Sequence, residues 1–134
     1  MYEPRPYILM IDDDEDDLEM LTSELEKNGM KTKPFDSSTK ALFYLTLQHD
    51  DMGLPSLIIL DYNMPKYNGR QVLQAIKDNK ITKDIPVVVY STSMSNVLKN
   101  QLLAAGAADC FEKPWTRHDF SRQVEKFQRL TYAF

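Results

Sequence analysis

The chain has 134 residues, a length that suits one domain with a core of its own. Hydrophobic residues make up 43% and charged residues 27%, as in an ordinary soluble globular fold, and no apolar stretch approaches the ~20 residues of a membrane span. Sixteen basic residues against 20 acidic ones leave a net charge of -4, which argues against a nucleic-acid surface, and a single cysteine, Cys110, excludes an internal disulfide.

Met1-Tyr2-Glu3-Pro4-Arg5-Pro6 contains no apolar core of an export signal, so a reducing cytoplasm is the expected setting. Tyr7-Ile8-Leu9-Met10-Ile11 is a continuous apolar run of strand length, the pattern of a strand buried on both faces. Leu18, Leu21 and Leu25 then recur at helical spacing, and Asn28-Gly29 closes that helix. Met30 to Phe35 is a shorter, more polar strand, and Pro34 places it near a sheet edge. Asp36 or Ser37 caps a helix carrying Ala41, Leu42 and Leu45. Gly53 and Pro55 mark the loop into a second apolar run, Leu57-Ile58-Ile59-Leu60. Asn68-Gly69 precedes a helix with Val72, Leu73 and Ile76, and Pro86 opens the strand Val87-Val88-Val89-Tyr90. Val97, Leu98 and Leu102 give the next helix its buried face, and Gly106 stops it. Ala108 to Glu112 is the last strand, and Phe120, Val124 and Phe127 line the last helix. Five β-α units with short connections imply one parallel sheet covered by helices on both faces. The sequence shows no linker, low-complexity tract or repeat and ends directly after the last helix, so a single domain over residues 1–134 without an output domain is expected.

Sheets of this kind place ligands outside the carboxyl ends of their strands. Here those ends carry Asp12 and Asp13, Asp61, Ser91 and Lys113. Three carboxylates, a hydroxyl and an ammonium on one edge suit a hard divalent cation and a phosphoryl group. Mg²⁺ prefers carboxylate oxygens, keeps several waters and is completed by phosphate oxygens. Residues 12 to 17 are six acids in a row. Asp14, Glu15, Asp16 and Asp17 read as negative charge at the positive end of the first helix, whereas Asp12 and Asp13 lie at the strand end itself. No register of this run matches a calcium loop with glycine sixth and glutamate twelfth. Asn63, Pro65 and Gly69 are turn residues, so Asp61 taken alone reads equally as a carboxylate starting a turn. The whole constellation is what marks it. Cys110 lies on an apolar strand and reads as a core thiol. His49 and His118 have no ligand-like spacing, and Trp115 and Phe120 read as packing residues. The basic stripe Arg117, Arg122, Lys126 and Arg129 reads as a solvated or partner-facing surface.

Ile11-Asp12-Asp13, Leu60-Asp61-Tyr62-Asn63-Met64-Pro65 with Gly69, Ser91, and Lys113-Pro114, in that order, resemble the receiver domain of two-component response regulators, the family of the chemotaxis receiver protein. The resemblance covers essentially the whole chain. It implies a doubly wound, flavodoxin-like (βα)5 fold with a five-stranded parallel sheet in the order 2-1-3-4-5. Asp61 would be the phosphoacceptor. Asp13, the Asp61 carboxylate and the backbone carbonyl of Asn63 would ligate Mg²⁺ (or Mn²⁺), with Asp12 acting through water. Lys113 would pair with Asp61 and then with a phosphoryl oxygen, Ser91 would bond another, and the Lys113–Pro114 peptide would be cis. Asn63, Thr92 and Ser93 would tune the loss of the phosphoryl group.

Two positions depart from the family pattern. The fifth-strand position three residues before the lysine, usually aromatic, is Cys110, so the usual aromatic switch is absent and Phe111, Tyr90 or Trp115 would have to compensate. Thr92 replaces a commonly smaller residue and is expected to crowd the phosphoryl site. The resemblance further implies a sensor histidine kinase or histidine phosphotransfer protein as donor. It implies a target-binding face from Ser95 to Arg129, no membrane or nucleic-acid partner, and a monomer or a phosphorylation-dependent homodimer. Such a protein is not an enzyme beyond its own phosphorylation and dephosphorylation. Three other readings compete. A phospho-aspartate phosphatase would have a second acid where Asn63 stands, and a nucleotide- or flavin-binding domain would have a glycine-rich loop where the six acids stand. The third is a receiver fragment of a longer DNA-binding regulator.

Overall fold

The computed structural model describes residues 6–47, 53–113 and 117–133. Five strands alternate with five helices: β1 (Tyr7–Ile11), α1 (Glu15–Lys27), β2 (Lys31–Phe35), α2 (Ser38–Thr46), β3 (Leu57–Asp61), α3 (Gly69–Asp78), β4 (Val87–Ser91), α4 (Asn96–Ala104), β5 (Asp109–Glu112) and α5 (Arg117–Ala133). All neighbouring strands are parallel, in the order β2-β1-β3-β4-β5. The parallel sheet is the one expected from the alternating pattern, its doubly wound order is the one the resemblance implies, and the polar, proline-containing β2 lies at one edge.

Every residue of β1, β3 and β4 is buried, because helices cover both faces of the sheet. The period of two splits these strands between two cores. Tyr7, Leu9, Ile11, Ile58, Leu60, Val87 and Val89 face one side, where Ala41, Leu45, Val72, Leu73, Ile76 and Leu102 from α2, α3 and α4 meet them. Ile8, Met10, Leu57, Ile59, Val88 and Tyr90 face the other, against Leu21 and Leu25 of α1 and Val124 and Phe127 of α5. The Tyr90 side chain therefore points toward α1 and α5.

Helix starts follow the capping chemistry. Asp14, Ser37, Asn68 and Ser95 are the N-caps of α1, α2, α3 and α4, and each side chain accepts a backbone N–H of the first turn. Asn68 forms a full capping box with Gln71. Asp36, the alternative cap for α2, instead pairs with Lys40 at 3.3 Å. One predicted core position is wrong. Val97 is 68% exposed, while Leu98 and Leu102, four residues apart, supply the inner face of α4. At ~100° per residue, Val97 is carried around the helix and out of that stripe.

Candidate functional site

The carboxyl ends of β1, β3, β4 and β5 converge as the sequence pattern predicts. β1 is closed by the Asp12 N–H, which donates to Phe35 O of the edge strand at 3.1 Å. This buries Asp12 completely while Asp13, one residue on, faces solvent. Asp12 Oδ1 then accepts the Asp14 N–H at 2.9 Å, which shapes the turn into α1. At the end of β3, Asp61 is only 1% exposed. Its Oδ1 accepts the Asn63 N–H at 3.1 Å and meets Lys113 Nζ at 3.2 Å. Both contacts fall on one oxygen and leave Oδ2 unengaged by the described residues. The loop after β3 is held tight by Gly69, whose N–H donates to Tyr62 O at 3.0 Å. A Cβ on Gly69 would stand 2.7 Å from Tyr62 Cα, so close approach of the backbone requires glycine here.

Lys113 is the electrostatic centre of the cluster. Its Nζ lies 3.2 Å from Asp12 Oδ2, 3.1 Å from Asp17 Oδ2 and 3.2 Å from Asp61 Oδ1, so its three protons face three carboxylates. Burial pulls the ammonium pKa down, but Asp12 and Asp61 more than offset this and hold it above its ordinary value. Asp61 moves the other way from the usual carboxylate. Burial first, and then the nearby Asp12 charge, push its pKa up to about 7 against the pull of Lys113. Tyr90 completes the cluster from below. Its hydroxyl donates to Asp12 Oδ2, and its ring centroid lies 4.8 Å from Lys113 Nζ. Burial, followed by Asp12, holds the Tyr90 phenol protonated well above its ordinary pKa.

On the opposite side of Asp61, one amide oxygen organises the loop after β4. Asn63 Oδ1 accepts the Ser91 hydroxyl at 2.8 Å, the Thr92 N–H at 3.1 Å and the Thr92 hydroxyl at 3.2 Å. The Ser91 hydroxyl in turn accepts the Ser93 N–H at 3.3 Å. Thr92, read from the sequence as crowding the site, spends both its polar groups on Asn63.

Asp12, Asp13 and Asp61 can each offer a carboxylate oxygen, all within 4.8 Å of one another. A Mg²⁺–oxygen distance of ~2.1 Å puts trans ligands ~4.2 Å apart. The all-oxygen donor set therefore fits a hard cation, with at least one carboxylate shifting inward or reaching it through water. Asp12 is the natural candidate for the water-mediated role, because protein donors already occupy both its oxygens.

The structure thus brings together Asp12, Asp13, Asp61, Asn63, Ser91, Thr92, Ser93 and Lys113. The Lys113–Pro114 peptide, Trp115, His49 and the side chains of His118 and Phe120 lie outside the described residues. Cys110 is a buried core residue, and burial raises its thiol pKa to about 11, aided by Asp109. Two contributors escape the sequence reading. Tyr90 reads there as the end of an apolar strand and as one residue that could compensate for Cys110, not as a partner of Asp12 and Lys113, and Asp17 reads as one acid of a helix cap. Nothing in a linear pattern pairs either with Lys113, which is 96 positions from Asp17.

The response regulator receiver domain family matches residues 8–125. Two-component response regulator ORR3 of rice (Oryza sativa subsp. indica) is 32% identical over 120 residues, covering 90% of this chain and 88% of that protein. Chemotaxis protein CheV1 of Helicobacter pylori is 32% identical over 123 residues, and the match spans 38% of its length. Among solved structures, the phosphorylated cyanobacterial phytochrome response regulator RcpA superposes with a TM-score of 0.83 at 25% identity, covering 96% of this chain and 94% of that one. The Mn²⁺-bound form of response regulator Rcp1 gives a TM-score of 0.77 at 27% identity and 92% coverage of both chains.

Proposed function

The chain belongs to the response regulator receiver family, and from that premise we propose that it accepts a phosphoryl group on Asp61 from a phosphohistidine. The observation that carries this reading is the Asp61 carboxylate: buried, one oxygen held by Lys113 and the Asn63 N–H, the other unengaged by the described residues, within reach of Asp12 and Asp13. The unengaged oxygen attacks phosphorus in line. The P–N bond breaks, and its electron pair stays on the imidazole nitrogen. Lys113 then carries its charge to a phosphoryl oxygen, and the Ser91 hydroxyl leaves Asn63 Oδ1 to donate to another. Phosphoryl transfer of this kind needs positioning and charge neutralisation more than covalent help.

Asp13, Asp61 and the Asn63 backbone carbonyl would hold a divalent cation directly, and Asp12 through water. Mg²⁺, or Mn²⁺ as in the Rcp1 structure, would supply neutralisation of the charge on the transferred group. Asn63 and Ser93 would flank the path of a hydrolytic water, and with Thr92 they would set how long the phosphoryl group lasts. The functional unit in this reading is a cytoplasmic, stand-alone receiver rather than a turnover enzyme. It would act as a monomer or a phosphorylation-dependent homodimer, and pass its signal to a protein target through the face from Ser95 to Arg129. The test is transfer of labelled phosphate from a phosphorylated histidine phosphotransfer protein. Label should reach the wild-type chain only with Mg²⁺ and never reach Asp61→Asn. Label persisting on Asp61→Asn would overturn the assignment.

A further inference from the structure

We infer that Asp17 is a positioning residue: it tethers the Lys113 ammonium in the resting site and surrenders it to the phosphoryl group. This inference rests on the phosphoacceptor reading above. Asp17 sits in the first turn of α1, where its N–H donates to the Asp14 cap at 3.1 Å. That bond fixes its backbone, and its carboxylate then lies 3.1 Å from Lys113 Nζ, the shortest of the three ion pairs there. The aromatic face of Tyr90 closes another side of the ammonium. The partners differ in what they can give up. Asp12 is fully buried and takes a second donor, Tyr90, on the same oxygen, so releasing Lys113 would strand a carboxylate away from water. Asp17 is 36% exposed, and water can replace Lys113 there at little cost. Asp17 is therefore the partner that exchanges. Its charge also adds to the negative potential that an incoming phosphate dianion must approach.

This arrangement predicts opposite effects on two quantities. Asp17→Asn removes a competitor for Lys113 and one negative charge, so the maximal rate of phosphoryl uptake from acetyl phosphate rises roughly three-fold, the scale of one exposed ion pair. The same lost charge weakens Mg²⁺, so the half-saturating Mg²⁺ concentration rises. A purely structural residue would not move the two in this way. Asp16→Asn is the control, because it removes the same charge from the same helix turn without touching Lys113.

The experiment measures uptake rate against Mg²⁺ for wild type, Asp17→Asn and Asp16→Asn. The ¹⁵N resonance and hydrogen exchange of the Lys113 ammonium are followed in parallel by NMR. A faster maximum together with faster ammonium exchange, both confined to Asp17→Asn, supports the tether. Ammonium exchange unchanged by Asp17→Asn overturns it, whatever happens to uptake. Identical uptake by the two variants overturns the competition with phosphate. A wild-type chain that takes up no phosphoryl group overturns the functional reading and the exchange of partners with it, while the resting tether still stands or falls on the NMR result.

Discussion

Replacing Asp61 with asparagine should stabilise the metal-free protein, and by an amount that grows with pH. Burial and the neighbouring Asp12 raise the Asp61 pKa from 3.8 to about 7 in the folded chain. Between those values the folded state holds a proton that the unfolded state has released, so unfolding free energy falls as pH rises through the window. Moving a carboxyl from 3.8 to about 7 corresponds to ~4 kcal/mol. Solvent at the exposed Asp13 side of the site screens part of this, so about 2–4 kcal/mol is expected. Lys113, whose pKa is raised, stays charged throughout and adds no slope. Asparagine keeps the shape and removes the charge. Urea unfolding of both proteins in chelator, from pH 4 to pH 8, isolates the Asp61 contribution as their difference. The difference should be near zero at pH 4 and reach its full value at pH 8. Mg²⁺ at pH 8 should shrink it, because the cation stabilises the wild type more than the variant. A difference independent of pH would refute the reasoning.

Other perturbations separate the parts of the site. Lys113→Ala strands the buried Asp12 without its cation and should cost about 3 kcal/mol at pH 8, less at pH 5 where Asp61 is protonated, as read by urea unfolding. The same variant should still bind Mg²⁺ by calorimetry while losing the conformational response to phosphorylation. Gly69→Ala forces a Cβ against Tyr62 Cα and should destabilise by about 1–3 kcal/mol, with shifted NMR resonances confined to the loop between β3 and α3. Asn63→Ala removes the acceptor shared by Ser91 and Thr92, so the Thr92 amide should exchange its hydrogen roughly five-fold faster, the equivalent of ~1 kcal/mol.

Where the signal is local, the sequence and the structure agree closely. The run Tyr7 to Ile11 is β1 residue for residue, since a strand buried on both faces has no polar position to blur its ends. Ser37, one of the two caps the sequence offers for α2, is legible because its side chain acts within three residues. The placement of Asp12, Asp13, Asp61, Ser91 and Lys113 on one edge follows from parallel strands, whose carboxyl ends share a side. Legibility fails where a contact depends on which face a side chain takes. Val97 looks like core in composition and is turned to solvent by the phase of α4. Tyr90 looks like the end of an apolar strand, yet its hydroxyl reaches Asp12 across 78 positions. Asp17 is indistinguishable from its acidic neighbours until β5 brings Lys113 beside it. The Asn63 side chain reads as turn chemistry, and only the loop after β4 reveals its three donors.

The most direct test of the central claim is the intact mass of the protein after incubation with acetyl phosphate, with and without Mg²⁺, beside Asp61→Asn. The account predicts a gain of one phosphoryl group that requires Mg²⁺ and is absent from the variant. No gain under any condition, or an equal gain in Asp61→Asn, would contradict it.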